Sequence, residues 1–224
     1  MTERVFEDPT WCRLGPVGVT ESMVMSAVVA GSLIGLAAYL GQAVRKRPES
    51  LAAATAILGV EVIDASVAEI VGHPEPALTI LAGSLFLFIA VCNLSGQVPG
   101  LHPPTACLTT TSALAVLVFL AVPAAGIRAL GVKAYVKHYL SPNPLLMPLH
   151  MISEFSRTLA LALRLFGNIS AGHLVVALLV MLAGFLVPIP IMALDLLIGL
   201  LQAYVFAILT LVYIGSAIEA GGQE

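Results

Sequence analysis

The stretch LHMISEFSRTLALALRLFGNISAGHLVVALLVMLAGFLV, Leu149 to Val187, contains no proline and is immediately followed by Pro188-Ile189-Pro190. At about 1.5 Å per residue, this stretch would make a helix of roughly 60 Å, about twice the thickness of a bilayer's hydrocarbon core. A helix of that length cannot stand upright in a membrane. It must tilt steeply, lie partly along the membrane, or bend, and Gly167, Gly172 and Gly184 are the natural places for a bend. The Val187–Pro190 stretch then ends it and turns the chain back into a last apolar run, Ile191 to Ser216. These two segments predict a long tilted helical hairpin.

The rest of the chain supports a membrane setting. Of 224 residues, 59% are hydrophobic and only 10% charged, whereas soluble domains carry about 25% charged residues. No Asp, Glu, Lys or Arg occurs from Ser22 to Val44, from Pro76 to Ile127, from Leu165 to Leu194, or from Leu196 to Ile218. A soluble enzyme is excluded on this ground. The net charge of −3 gives no basic field for nucleic acid, and no glycine loop is present to cradle a nucleotide phosphate. Cys12, Cys92 and Cys107 are odd in number and unrelated in spacing, so neither a disulfide framework nor a metal site is expected, and no cofactor. The acidic start, with Glu3, Glu7 and Asp8, is unlike a signal or transit peptide, which favours a bacterial cytoplasmic membrane, with an organelle-encoded chain as the alternative.

The expected fold is an all-α polytopic membrane protein with about five membrane-crossing helices, since a helix satisfies its own backbone polar groups in lipid. The chain divides into an outer segment (1–20), a first span (21–44), an amphipathic helix on the cytoplasmic side (48–73), a transmembrane hairpin (77–127) and a cytoplasmic loop (128–147). The long tilted hairpin (148–216) and a tail (217–224) follow. Within 48–73, Glu61, Asp64 and Glu69 fall within an arc of about 140°, which suits an interfacial helix. Arg45, Lys46 and Arg47, and then Arg128, Lys133 and Lys137, mark two cytoplasmic loops, against Arg4 and Arg13 outside. The N-terminus is therefore expected outside and the C-terminus inside. No internal repeat of the inverted-transporter kind is visible.

Polar residues inside the apolar runs are the candidate functional groups. Arg164 lies far from either end of the long helix, where an arginine costs about 2.5–3.5 kcal/mol on insertion scales. Asp195 is the one carboxylate deep in the apolar runs, and Glu154, ten residues before Arg164, is about 15 Å away along the axis and about 80° off its face. Either Arg164 belongs to a buried helix–helix ion pair or its acidic partner lies in another subunit. Asn168 shares the Arg164 face, and His173 lies on the opposite one. On the last helix Asp195, Gln202 and Tyr213 fall within about 20° of one line. They form a stripe that can line a water path or serve as interhelical hydrogen-bond glue. His173 and Asp195 form a candidate proton-handling pair, His173 alone being equally compatible with packing. A hairpin turning about Ile189 would set Gln202 opposite Val176 and leave Asp195 nearer the outer end. His150, Glu154 and Arg157 share one face at the start of the long helix. They are either an access funnel or a solvated helix end with a Glu154–Arg157 ion pair.

The run Arg157-Thr-Leu-Ala-Leu-Ala-Leu-Arg164-Leu-Phe-Gly-Asn168-Ile-Ser-Ala-Gly172-His173 resembles the a subunit of F-type ATP synthases. So do Gly15–Thr20, Phe86–Gly100, Pro104-Thr105-Ala106 and Leu201–Tyr213, so the likeness spans nearly the whole chain. This resemblance implies a non-catalytic subunit whose tilted hairpin packs against a rotating ring of c subunits, with peripheral-stalk b subunits and the rest of the synthase as further partners. It implies that Arg164 faces the ring's carboxylate, that Asn168, His173, Asp195 and Gln202 line an outer half-channel, and that an inner one opens to the cytoplasm. The transported ion would be H⁺, with Na⁺ as the alternative. Three features depart from the pattern: His150 in place of a glutamate, Thr158 in place of a proline, and a short outer segment. Competing functions are a self-contained channel or secondary transporter, which needs its own counter-charge and usually a repeat, and a structural anchor, which leaves the intramembrane charge unexplained.

Overall fold

The structure is a computed structural model that describes residues 10–14, 17–97, 103–132, 135, 147–184 and 186–219. Six helices, all long and apolar enough to cross a membrane, make up most of it: α1 (Glu21–Lys46), α2 (Leu51–Val71), α3 (Pro76–Ser95), α4 (Leu108–Leu130), α5 (Met147–Ala183) and α6 (Pro188–Glu219). The all-helical membrane architecture expected from the sequence is present, with one helix more than the five counted as crossing. A short antiparallel hairpin, β1 (Thr10–Leu14) and β2 (Val17–Thr20), precedes α1 and was not foreseen.

Local chemistry explains the boundaries. Glu21 opens α1 and Arg45 with Lys46 closes it, each charge complementing the helix dipole. The hydroxyl of Ser50 accepts the Ala53 N–H at 3.2 Å at the start of α2, and Gly72, at φ +86°, ends it in the left-handed region that glycine adopts at little cost. Pro76 occupies the first turn of α3, where its missing N–H is not needed. A three-residue 3₁₀ turn, Pro104–Ala106, leads into α4.

The long hairpin is present with a different turn from the one expected. The α5 helix runs unbroken through Gly167 and Gly172 for 37 residues, roughly 55 Å, and stops at Gly184, at φ +77°. Residues Pro188 and Pro190 lie inside the first turn of the 32-residue α6 rather than forming the turn themselves. Proline suits the first turn of a helix. The hairpin therefore folds about Gly184, several residues before Ile189.

The core lies where α6 crosses α3, α4 and α5. Leu161 and Leu165 of α5 and Phe206, Leu211 and Ile214 of α6 are fully buried with Ile89 of α3, Val118 of α4 and Val67 of α2. Most other apolar side chains face outward, including Leu159, Leu163, Leu178, Leu194, Leu197 and Leu201 on the hairpin. Such a surface suits lipid and partner helices rather than water.

Candidate functional site

Polar groups of the hairpin collect at three places along it. The first is beside the Pro104–Ala106 turn. Gly172 of α5 has no side chain to hold off Asp195 of α6, and a Cβ there would collide with the Asp195 carboxyl group. Gln97, just beyond α3, donates through Nε2 to Asp195 Oδ2 at 3.3 Å. The neighbouring Gly96 lies against His173, whose Nε2 would stand 2.8 Å from a Cβ at that glycine. Asp195 and His173 thus converge on consecutive residues, Gly96 and Gln97. The turn at Gly184 is what brings Asp195 to the level of His173, instead of leaving it nearer the outer end. By the same register, Gln202 falls opposite Leu165 rather than Val176.

This end is stitched together by hydrogen bonds that sequence reasoning missed. Thr105 donates to Asn93 Oδ1 at 2.7 Å, Asn93 Nδ2 donates to the Gly199 carbonyl at 2.7 Å, and Ser170 donates to the Ala106 carbonyl at 3.2 Å. Both Asn93 and Thr105 are buried. An unpaired polar group at such depth would cost about 1–3 kcal/mol, so the bonds fix α3, the 3₁₀ turn and the hairpin in one arrangement.

The second place is the middle of the hairpin. Arg164 is exposed on the outward face of α5, and among the described residues no carboxylate or other acceptor pairs with it. Ser156, Ala160, Gly167 and Ala171, all exposed, share its side of the helix. One turn on, Asn168 is half-buried, and its Nδ2, like Nε2 of buried Gln202, has no hydrogen-bond acceptor. Asn168 thus lies about 40° around the helix from Arg164, where the outward face meets the bundle. Buried donors of this kind call for water or another polar visitor.

The third place is a cleft of about 170 Å³ between α4, α5 and α6, at the end of the bundle away from the 3₁₀ turn. His150, Ser153, Glu154, Arg157, Thr158 and Tyr213 line it. The Arg157 guanidinium carbon stands 5.5 Å from the centre of the Tyr213 ring, a cation–π distance. Arg157 is thus engaged by α6. The candidate residues of the sequence therefore fall into an Asp195–His173 cluster, an outward arginine with two inward amides, and a polar cleft.

A helical bundle of this kind defines a multi-pass membrane protein whose long terminal hairpin carries the polar and charged groups. Its sequence matches the ATP synthase A chain family over residues 23–215, and the chain belongs to that family. It is similar to ATP synthase subunit a 1 of Hahella chejuensis, 40% identical over 212 residues that cover 94% of this chain and 89% of the relative. It is 41% identical over 208 residues to ATP synthase subunit a 2 of Pelobacter propionicus, covering 92% and 90%. To ATP synthase subunit a 2 of Picosynechococcus it is 54% identical over 145 residues, 65% of this chain and 62% of the relative. These relatives are named as subunits of a synthase. The chain is accordingly a membrane component of an ATP synthase complex and not an enzyme by itself.

Proposed function

We propose that this chain is the ion-translocating stator subunit of an F-type ATP synthase, whose α5–α6 hairpin meets the rotating c ring and couples H⁺ flow to rotation. The observation that carries this reading is Arg164: a permanent charge, unpaired among the described residues and exposed on a helix that belongs in lipid. Such a charge calls for an acidic partner, and one supplied by another subunit fits its outward position. Ser156, Ala160, Gly167 and Ala171 beside it let a partner helix come close.

The mechanism follows from the chemistry of the groups. A guanidinium beside a carboxylate favours the ionised form, so a ring site that reaches Arg164 gives up its proton. Arginine does not deprotonate in proteins, so it cannot pass that proton across. A proton then crosses only by riding the ring. The Asp195–His173 cluster, with Asn168 and Gln202, would serve the half-channel to the outside, and the His150–Glu154–Arg157–Tyr213 cleft the one to the cytoplasm. The setting that fits is a bacterial inner membrane, N-terminus outside and C-terminus cytoplasmic, with peripheral-stalk b subunits holding the chain still.

Membrane vesicles holding the assembled complex test the reading. Arg164→Ala should abolish proton-driven ATP synthesis while the complex still assembles. Synthesis at the native rate by that variant would overturn the proposal.

A further inference from the structure

Arg157 is the second cation on the outward side of α5. It precedes Arg164 by seven residues, about 10.5 Å along the axis and about 20° around it, and both side chains are exposed. Helices packed side by side stand about 8–10 Å apart. Since α5, at roughly 55 Å, cannot stand upright, the step from Arg164 to Arg157 runs partly along the membrane plane. The part of the step that lies in the plane, at most about 10.5 Å, is comparable with the spacing of neighbouring helices in a ring.

Arg157 is also held in place. Its guanidinium lies over the Tyr213 ring at 5.5 Å, and Tyr213 packs its own body against the core. A planar guanidinium stacks on such a ring better than an ammonium does. The titratable groups that face Arg157 are His150 and Glu154 from α5 and Tyr213 from α6, while the cleft residues of α4, Val118, Phe119 and Val122, carry no charge.

We propose that Arg157, positioned by Tyr213, is a second ring-facing cation: when one ring carboxylate stands at Arg164, its neighbour on the inner side stands near Arg157. This rests on the reading of the hairpin as the ring-facing surface. The second cation favours the ionised carboxylate at the inner cleft, and so assists proton release to the cytoplasm during synthesis.

The test is the rate of ATP synthesis by the assembled complex in vesicles, measured against cytoplasmic-side pH at constant driving force. Loss of the charge in Arg157→Gln should move the dependence to higher pH by roughly half to one unit, because release then needs a lower proton concentration. Arg157→Lys should fall between. Tyr213→Leu should shift the same way as Arg157→Gln, whereas Tyr213→Phe, which keeps the ring face, should return the native profile whatever its rate. A uniform loss of rate without a shift, or an unchanged profile in Arg157→Gln, overturns the proposal. If Arg157→Gln fails to assemble, superimposed profiles for Tyr213→Leu and the native complex overturn it instead. Arg164→Ala, run alongside, separates the two ideas. Its retained synthesis would remove the ring-facing reading itself, while its loss with an unshifted Arg157→Gln removes only the role of Arg157.

Discussion

Gly172 carries the tightest steric constraint on the candidate site, because the Asp195 carboxyl group occupies the space a side chain would need. Gly172→Ala should therefore push Asp195 away from Gln97. Overpacking of this kind costs about 1–3 kcal/mol, and ATP synthesis in vesicles should drop about tenfold or more with the complex still assembled. Full activity in that variant would show that the position of Asp195 is immaterial. Asn93 makes a stability prediction instead. Asn93→Leu leaves the buried Thr105 hydroxyl without its acceptor, while the Gly199 carbonyl, inside α6, keeps its bond along the helix, a loss of about 1–3 kcal/mol for the orphaned hydroxyl. Thermal unfolding of the solubilised complex should begin several degrees lower than in the native protein. Arg164 and Asp195 were legible in the sequence because a charge within an apolar run is anomalous wherever it lies. Gln97, Asn93 and Thr105 were not, because polar residues at helix ends are ordinary. Their pairing over long sequence separation is visible only after folding.

At the scale of elements, composition exposes helices readily and turns poorly. The hairpin was expected to fold about Ile189 because its two prolines suggested a break, yet proline fits the first turn of α6, and it is Gly184 that leaves the helical path. Moving the turn by a few residues changes every cross-hairpin pairing, and with it the residue that stands opposite Gln202. The α2 helix poses the complementary problem, since it is apolar enough to cross but was read as interfacial. The backbone oxygen of Ile70 lies 3.5 Å from where a Cβ at Gly215 of α6 would stand, at the same end as the cleft formed by Val122 of α4 and Ala217 of α6. By the positive-inside rule Arg128, in the last turn of α4, is expected to keep that end cytoplasmic, and Arg45, Lys46 and Arg47 the start of α2. On that expectation both ends of α2 share one side, as an interfacial helix requires. In a background with Cys12, Cys92 and Cys107 replaced, a cysteine at Glu49 and one at His73 should each react with an impermeant maleimide only from the cytoplasmic face. Labelling from opposite faces would make α2 a sixth crossing.

For the whole molecule, the question is whether the two polar regions join inside a single chain. The Asp195–His173 cluster sits by the Pro104–Ala106 turn, the cleft sits near the far ends of α4 and α6, and Leu161, Leu165 and Phe206 fill the core between them at full burial. Arg164 stands between the two regions on the outward side. An ion travelling from one region to the other within this chain would have to leave the polar groups and pass a permanent positive charge in lipid. That passage is costly enough to keep the route closed. Purified and reconstituted alone, the chain should therefore conduct neither H⁺ nor Na⁺ above the level of empty liposomes, with a pH-sensitive and a Na⁺-sensitive dye as the readout. Vesicles holding the membrane sector with its ring should conduct H⁺, and Arg164→Ala in that assembly should raise the passive leak, because the charge that separates the two paths is gone. Conduction by the isolated chain would mean that a continuous path runs through the bundle. The division of labour between stator and ring would then have to be abandoned, whatever the family resemblance.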